Sequence, residues 1–500
     1  MKKFTLLMAA ALLFAACDSK NEVPVVEVTM SSFGFYADAN TGVIKSDILV
    51  ENPSTDISIV LPYGVSEDAL KSLVPSFEVT EGAVVTVDDV VVESGVTAVD
   101  FSYPVEFLVT VNEKSNAQYI VRVAIAGPAS FKLAAAGADA DSLYKGPFMA
   151  ISPSDGKPYL AAVADAPVSD QYYPVLYRFD ESLSKVCTVA EVRADQPTIG
   201  FSPAGDLVYA FYNYGNKFAN VYSVNGGSAS LLGADNLLYR PITSSAYPTI
   251  GVMPLSANQL YVAYGVNAAA GSLAKRTLNL CRWDGSAWTQ ENPIAGREAG
   301  DYAYEVFTKL VGDDQYLMLF NQNDQSLSLY KVSAQSISTV FERLKFYIDE
   351  EGATQAKINL YGLRMDIASD GTPYILAGVE ASSTTGSGYS PAVYRYDLET
   401  KTASVVGGVL SSLDVQTSKT FALALDANDV PYLAYADGTS KALTLTYIDS
   451  KTKTWCTPAA ISAGEVEDIM MDFAPDGTGY ISCSADDAAG NSYINLYSTR

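Results

Sequence analysis

Histidine is absent from all 500 residues. That single absence removes the Ser/His/Asp triad, the Cys/His dyad, His-ligated zinc and the usual near-neutral proton shuttle together. Cysteine is scarce, and beyond Cys17 the residues Cys187, Cys281, Cys456 and Cys483 stand at separations that match no zinc spacing and no CxxC. Positive charge is short as well, with 32 Lys and Arg against 57 Asp and Glu and a net charge of −25, so nucleic acid is excluded as a partner and an anionic membrane surface repels the chain. After the N-terminal segment no run of 18 apolar residues occurs, which excludes a spanning helix there. No WD dipeptide pattern, kelch Gly-Gly pair or sialidase Asp-box is present, and no motif calls for a cofactor or a metal. What is present is apolar: 48% hydrophobic against 18% charged residues excludes a mainly disordered chain, and the length exceeds one ordinary domain.

The first residues, MKKFTLLMAAALLFAAC, carry Lys2 and Lys3 ahead of an apolar run from Phe4 to Ala16 that is too short to span a bilayer. A cut before a cysteine preceded by Ala15 and Ala16 resembles the bacterial lipoprotein signal, with Phe14 where that family usually has Leu. The resemblance implies a signal peptide over 1–16 and acylation of Cys17, with 17–24 as a lipidated tether holding the protein to the outer membrane of a bacterial envelope.

From 25 to 127 the chain shows short alternating or β-branched runs, among them VVEVTM, DISIVL, AVVTV, VEFLVTV and QYIVRVAI, separated by turn-rich pieces. About seven strands in a hundred residues predict an immunoglobulin-like sandwich. The stretch from Pro75 to Val123 resembles the Ig-like modules at the N-termini of Bacteroidetes surface lipoproteins, which implies a spacer or interaction module without catalytic residues. Fifteen acidic against four basic residues between Val23 and Gly127 read as a solvated face that keeps a tethered protein soluble, with calcium binding as the sharper alternative.

The region 128–500 repeats. A tyrosine follows a turn and opens an apolar strand seven times, at Tyr159, Tyr209, Tyr261, Tyr316, Tyr374, Tyr432 and Tyr480, with spacings of 50, 52, 55, 58, 58 and 48. That period belongs to propeller blades and is too long for ankyrin or leucine-rich repeats. Each copy shows an inner strand before its tyrosine, a third strand such as LYRFD or VYRYD, and a weaker fourth. The last copy stops after its third strand, whereas an orphan strand at Ser130 to Ala135 precedes the first copy. The expected fold is therefore all-β, a sandwich followed by a seven-bladed β-propeller whose first strand completes its last blade and removes free edges. Cys187 and Cys456 are expected at one outer-strand position in blades 1 and 6, too far apart to bridge, so four free thiols follow.

Short turns fall on one face of such a ring and long connections on the other, and binding concentrates on long loops carried by a rigid scaffold. Those connections hold Tyr172, Tyr173, Tyr239, Arg240, Tyr302, Tyr304, Phe346, Tyr347 and Tyr389. Aromatic faces accept the C–H side of a sugar ring and a neighbouring Arg or Asp its hydroxyls, so Tyr172, Tyr173, Tyr239, Arg240, Tyr302, Tyr347 and Tyr389 are the candidate ligand-binding residues. Trp283, Trp288 and Trp455 flank the opposite hairpins and are expected to pack. The favoured function is a non-catalytic, membrane-anchored binding protein for glycan or an envelope partner. Resemblance to the lipoproteins that accompany polysaccharide uptake supports it. The alternatives are a glycosidase using Asp170, Asp301, Glu305, Asp349, Glu350 or Glu351 as a carboxylate pair, and a scaffold for another envelope protein.

Overall fold

The computed structural model describes residues 25–137, 141–166, 171–233, 250–266, 277–291, 303–321, 324–347, 358–380, 389–408, 410 and 421–500. Positions 1–24, with Cys17 and the expected signal peptide, lie outside them. No described helix is long and apolar enough to cross a membrane. The chain divides into two compact units, one over 1–61 and 65–126, the other over 62–64 and 127–500.

In the first unit a three-stranded sheet orders Ile48–Glu51, Met30–Phe35 and Ser76–Val79. A five-stranded sheet orders Asp56–Leu61, Ser115–Ile125, Val105–Asn112, Val84–Val87 and Val90–Val91. DISIVL alternates strictly between exposed and buried residues, as a strand with one wet face must. The buried sides share one core, where Phe33 meets Phe107 edge-to-face at 5.2 Å across the two sheets. Eight strands form where about seven were expected. The additional one arises because Asp88 and Asp89 adopt φ of 50° and 64°, closing a two-residue hairpin within one apolar run.

The second unit is built from seven four-stranded antiparallel sheets. Blade 1 joins Leu143–Ile151, Pro158–Asp165, Tyr172–Phe179 and Leu183–Thr188. The innermost strands of blades 2 to 7 are Ala194–Phe201, Ile250–Ser256, Ala303–Val311, Ile358–Ile367, Phe421–Leu425 and Glu467–Phe473. Each packs on the next, and the last packs on the first, so the blades close into a ring. All seven framework tyrosines lie on second strands. Lys132–Ala136 pairs with Ser492–Ser498 as the fourth strand of blade 7, joining the beginning of the ring to its end. A closed ring leaves no bare inner edge for another chain to extend.

Apolar side chains fill the gaps between blades, and the tryptophans bridge them from outside. Trp288 donates Nε1–H to the Leu232 carbonyl at 2.6 Å and Trp455 to that of Val406 at 2.9 Å, so both fix the outer strand of the preceding blade. Gly233 and Gly407 make room: both have positive φ, and a Cβ on Gly407 would stand 2.5 Å from Ile448 Cδ1 and 2.8 Å from Trp455. Cys187, Cys281, Cys456 and Cys483 are free thiols. The expected equivalence of Cys187 and Cys456 does not hold. Cys187 pairs with Leu176, but the Cys456 amide donates to Tyr447, because the Asp449–Thr454 hairpin is wider than the turn at Asp180–Ser182 and shifts the register.

Candidate functional site

The innermost strands leave a central cavity of about 660 Å³. One end of it lies near the short first-to-second-strand turns. There Lys309, Asp366 and Asp472 stand opposite Tyr316, Tyr374 and Tyr480, the same register position in three blades. Lys309 Nζ reaches Asp366 at 3.0 Å and Asp472 at 2.8 Å. Burial alone would lower the lysine pKa, but the two carboxylates outweigh it and hold it above the ordinary range. Burial raises the Asp366 carboxyl, with Lys309 and a hydrogen bond from the Leu425 amide pulling the other way. Gln315, 2% exposed, donates to the carbonyls of Phe201 and Pro254 at 2.8 and 2.7 Å. These four side chains tie blades 2 through 7 together at one end of the channel. An ammonium between two carboxylates also leaves neither of them free to act as nucleophile or base.

Toward the long-loop face the wall changes character. The pairing of first with second strands slips at one corresponding place in five blades, between Lys145 and Phe148, Asp195 and Thr198, Ala303 and Val306, Asn359 and Arg364, and Glu467 and Met470. A bulge re-aims the residues it carries, and here it brings Lys145, Asp195, Gln196 and Asp468 to the cavity lining. Gln196 and Asp468 take φ of 52° and 48° in doing so. Deeper on the same wall the Thr198 hydroxyl is buried and has no hydrogen-bond partner among the described residues.

From this mouth a shelf of alternating rings and cations runs outward over blades 1 and 2. Tyr144 and Tyr172 stack at 3.9 Å with their planes 17° apart. Arg193 lies 5.8 Å from the Tyr172 ring and 4.9 Å from that of Tyr214. Lys217 stands 5.7 Å from Tyr214, and Lys145 5.4 Å from Tyr144. The Tyr214 hydroxyl donates to Asp195 Oδ2 at 2.9 Å; burial and then that carboxylate push its pKa up, so it remains a neutral donor. Tyr214 and Lys217 also line the cavity, so shelf and mouth are continuous.

Of the residues expected to bind ligand, Tyr172 stands on this shelf. Tyr173 follows it on the same strand and by alternation faces the other side of the sheet. Tyr347 is 39% exposed on the connection after blade 4 and belongs neither to the shelf nor to the cavity lining. Tyr389 opens the third strand of blade 5, whereas Tyr239, Arg240 and Tyr302 lie outside the described residues. Glu305 falls on the innermost strand of blade 4; Asp170, Asp301, Asp349, Glu350 and Glu351 lie outside the described residues. Sequence reasoning missed Tyr144, Arg193, Tyr214 and Lys217. A signal existed for the first two, since each sits at the entrance to an inner strand, where an exposed long side chain serves no core. Among the described residues no group of three or more Cys, Asp or Glu side chains is arranged to hold a metal.

Residues 36–123 match the family model described as SGBP, N-terminal, the N-terminal domain of Bacteroidetes-type surface glycan-binding proteins. The match covers the sandwich and stops short of the ring. No curated protein matches the chain. Several solved structures are similar to it at low identity. The α-L-arabinofuranosidase Arb93A of Fusarium graminearum is 11% identical, with 61% of this chain and 93% of that chain covered at a TM-score of 0.38. A protein of unknown function from Dyadobacter fermentans is 10% identical, with 74% and 99% covered at 0.41. AofleA from Arthrobotrys oligospora is 11% identical, with 60% and 82% covered at 0.37. The ring rests on its own strand pairing rather than on these likenesses.

Proposed function

We propose that this protein is a cell-surface glycan-binding protein, held by a lipid on Cys17, that grips extracellular polysaccharide on the long-loop face of its propeller. The sandwich over 25–127 serves as the spacer between lipid and ring. The observation that carries the reading is the shelf from Tyr144 and Tyr172 to Tyr214 at the cavity mouth, in a chain whose residues 36–123 match the SGBP N-terminal family. Flat rings take the C–H faces of pyranoses, and the neutral Tyr214 hydroxyl, Gln196 and Asp195 are placed to meet hydroxyls. Binding is favoured over glycoside cleavage by the channel end, where Asp366 and Asp472 are bridged by one ammonium.

A glycan array probed with the full chain tests this. The double variant Tyr144→Ala/Tyr172→Ala is expected to weaken the best ligand about 10-fold or more, since each lost ring contact costs about 0.5–1.5 kcal/mol. Undiminished binding by a folded double variant removes the shelf as the site; hydrolysis of the bound glycan returns the enzyme reading.

A further inference from the structure

Resting on that reading of the shelf, we infer that its ligand is an anionic glycan, one whose sugar rings carry a carboxylate or a sulfate. Cations are scarce in this chain, and many described ones sit in ion pairs: Lys157 with Asp180, Arg178 with Asp155, Lys185 with Asp141, Lys331 with Asp314, Lys441 with Glu465. Those of the shelf are gathered on rings instead. Lys145, Arg193 and Lys217 are all exposed, and the contacts they make are with aromatic rings. Among the described residues none of the three has a carboxylate within ion-pair distance. Asp195, on the same wall, is already engaged, since its Oδ2 accepts from the Tyr214 hydroxyl and its Oδ1 from the Gln196 amide.

Among the described residues, then, nothing besides the rings engages these three cations, and their N–H donors are left for a ligand. Arg193 is the most specific of them. A guanidinium held between two rings is fixed in place by cation–π attraction, and it presents a fork that matches an oxyanion bidentately. Its place between Tyr172 and Tyr214 suits a chain whose sugars stack on the rings while an acidic substituent falls between them. The net charge of −25 does not oppose this at close range, because at physiological ionic strength the field of distant carboxylates is screened over about 8 Å.

The test sets one sugar backbone with and without its charge. The full chain is titrated calorimetrically with oligogalacturonate, with the same oligomer fully methyl-esterified, with chondroitin sulfate, and with a neutral oligosaccharide chosen from the array. Oligogalacturonate or chondroitin sulfate is expected to bind at least about 10-fold tighter than the uncharged ligands, and the stronger of the two identifies the substituent. Arg193→Gln/Lys217→Gln is expected to abolish that preference, bringing the affinity for the acidic ligand down to that of its uncharged counterpart. Equal affinity for acid and ester, or array binding confined to neutral glycans, overturns the inference and leaves glycan binding standing. Absence of binding to every glycan overturns both.

Discussion

Replacing Lys309 with Met removes the cation shared by two carboxylates at one end of the channel and leaves them facing each other in a largely buried site. Breaking a buried ion pair by deleting one partner costs about 3–5 kcal/mol, because the remaining charge keeps its desolvation cost. The ring spans 127–500, and at about 2.1 cal/mol/K per residue an unfolding unit of about 370 residues has an entropy near 0.8 kcal/mol/K. The expected loss is therefore about 4–6 °C in the propeller transition, read by differential scanning calorimetry on the full chain at pH 7.5. Two controls separate this from a mere loss of packing. In Lys309→Met/Asp366→Asn/Asp472→Asn no charge remains; the single amide oxygen at 472 can still accept from Phe473 and that at 366 from one of Leu425 and Ile367, so most of the lost stability returns, short of about 1–3 kcal/mol for the donor left unpaired. The single variant also gains on acidification. Burial already raises the folded pKa of Asp366, and without Lys309 it rises further. A carboxyl raised above its unfolded value contributes stability that is present below the unfolded pKa and lost as pH climbs through the folded one. The deficit of Lys309→Met must then shrink between pH 7.5 and pH 5. A transition unmoved by the substitution, or a deficit indifferent to pH, refutes the assignment of these residues as the tie at the ring's centre.

Asp426 is pushed up to about 6 by burial, against the pull of hydrogen bonds from the Val430 and Asn428 amides. Its stabilising share is present below pH 4 and lost as pH rises through 6, so Asp426→Asn, which keeps the acceptor, is expected to gain up to about 3 kcal/mol in thermal unfolding at pH 7.5 and nothing at pH 4. Ala135→Pro strikes the strand that closes the ring opposite Leu496; a loss of about 3 kcal/mol in denaturant unfolding is expected, whereas closure by other contacts would leave the midpoint unmoved. Gly407→Ala meets both a positive φ and the Trp455–Ile448 contact, and is expected to destabilise by more than 1 kcal/mol in the same assay. All four thiols are expected to alkylate after unfolding without reductant, with Cys483, whose pKa burial pushes up to about 12, protected in the native state; a crosslinked peptide in the mass spectrum contradicts this.

The ring was legible because each blade repeats one arrangement, a turn followed by Tyr and an apolar strand, and because the unpaired strand at one end matches the missing strand at the other. The tie at its centre was legible in principle and overlooked. Lys309, Asp366 and Asp472 each interrupt an apolar inner strand directly opposite a framework tyrosine, as EVFTKLV, LRMDIA and MMDFA show. A charge there is costly unless another blade supplies its partner, so the three together imply convergence on the axis.

Local sequence determined the strands, the turns, the blade period and the closing partner, because hydrophobic alternation and turn chemistry act over a few residues and repeat. Which side chains meet was decided by the ring. Tyr144 and Tyr172 come from two strands of blade 1, Arg193 and Tyr214 from the segments flanking the first two strands of blade 2, and only blade rotation and the bulges at Lys145 and Asp195 bring them side by side. Contacts of that kind depend on distances across the fold, which no spacing along the chain records.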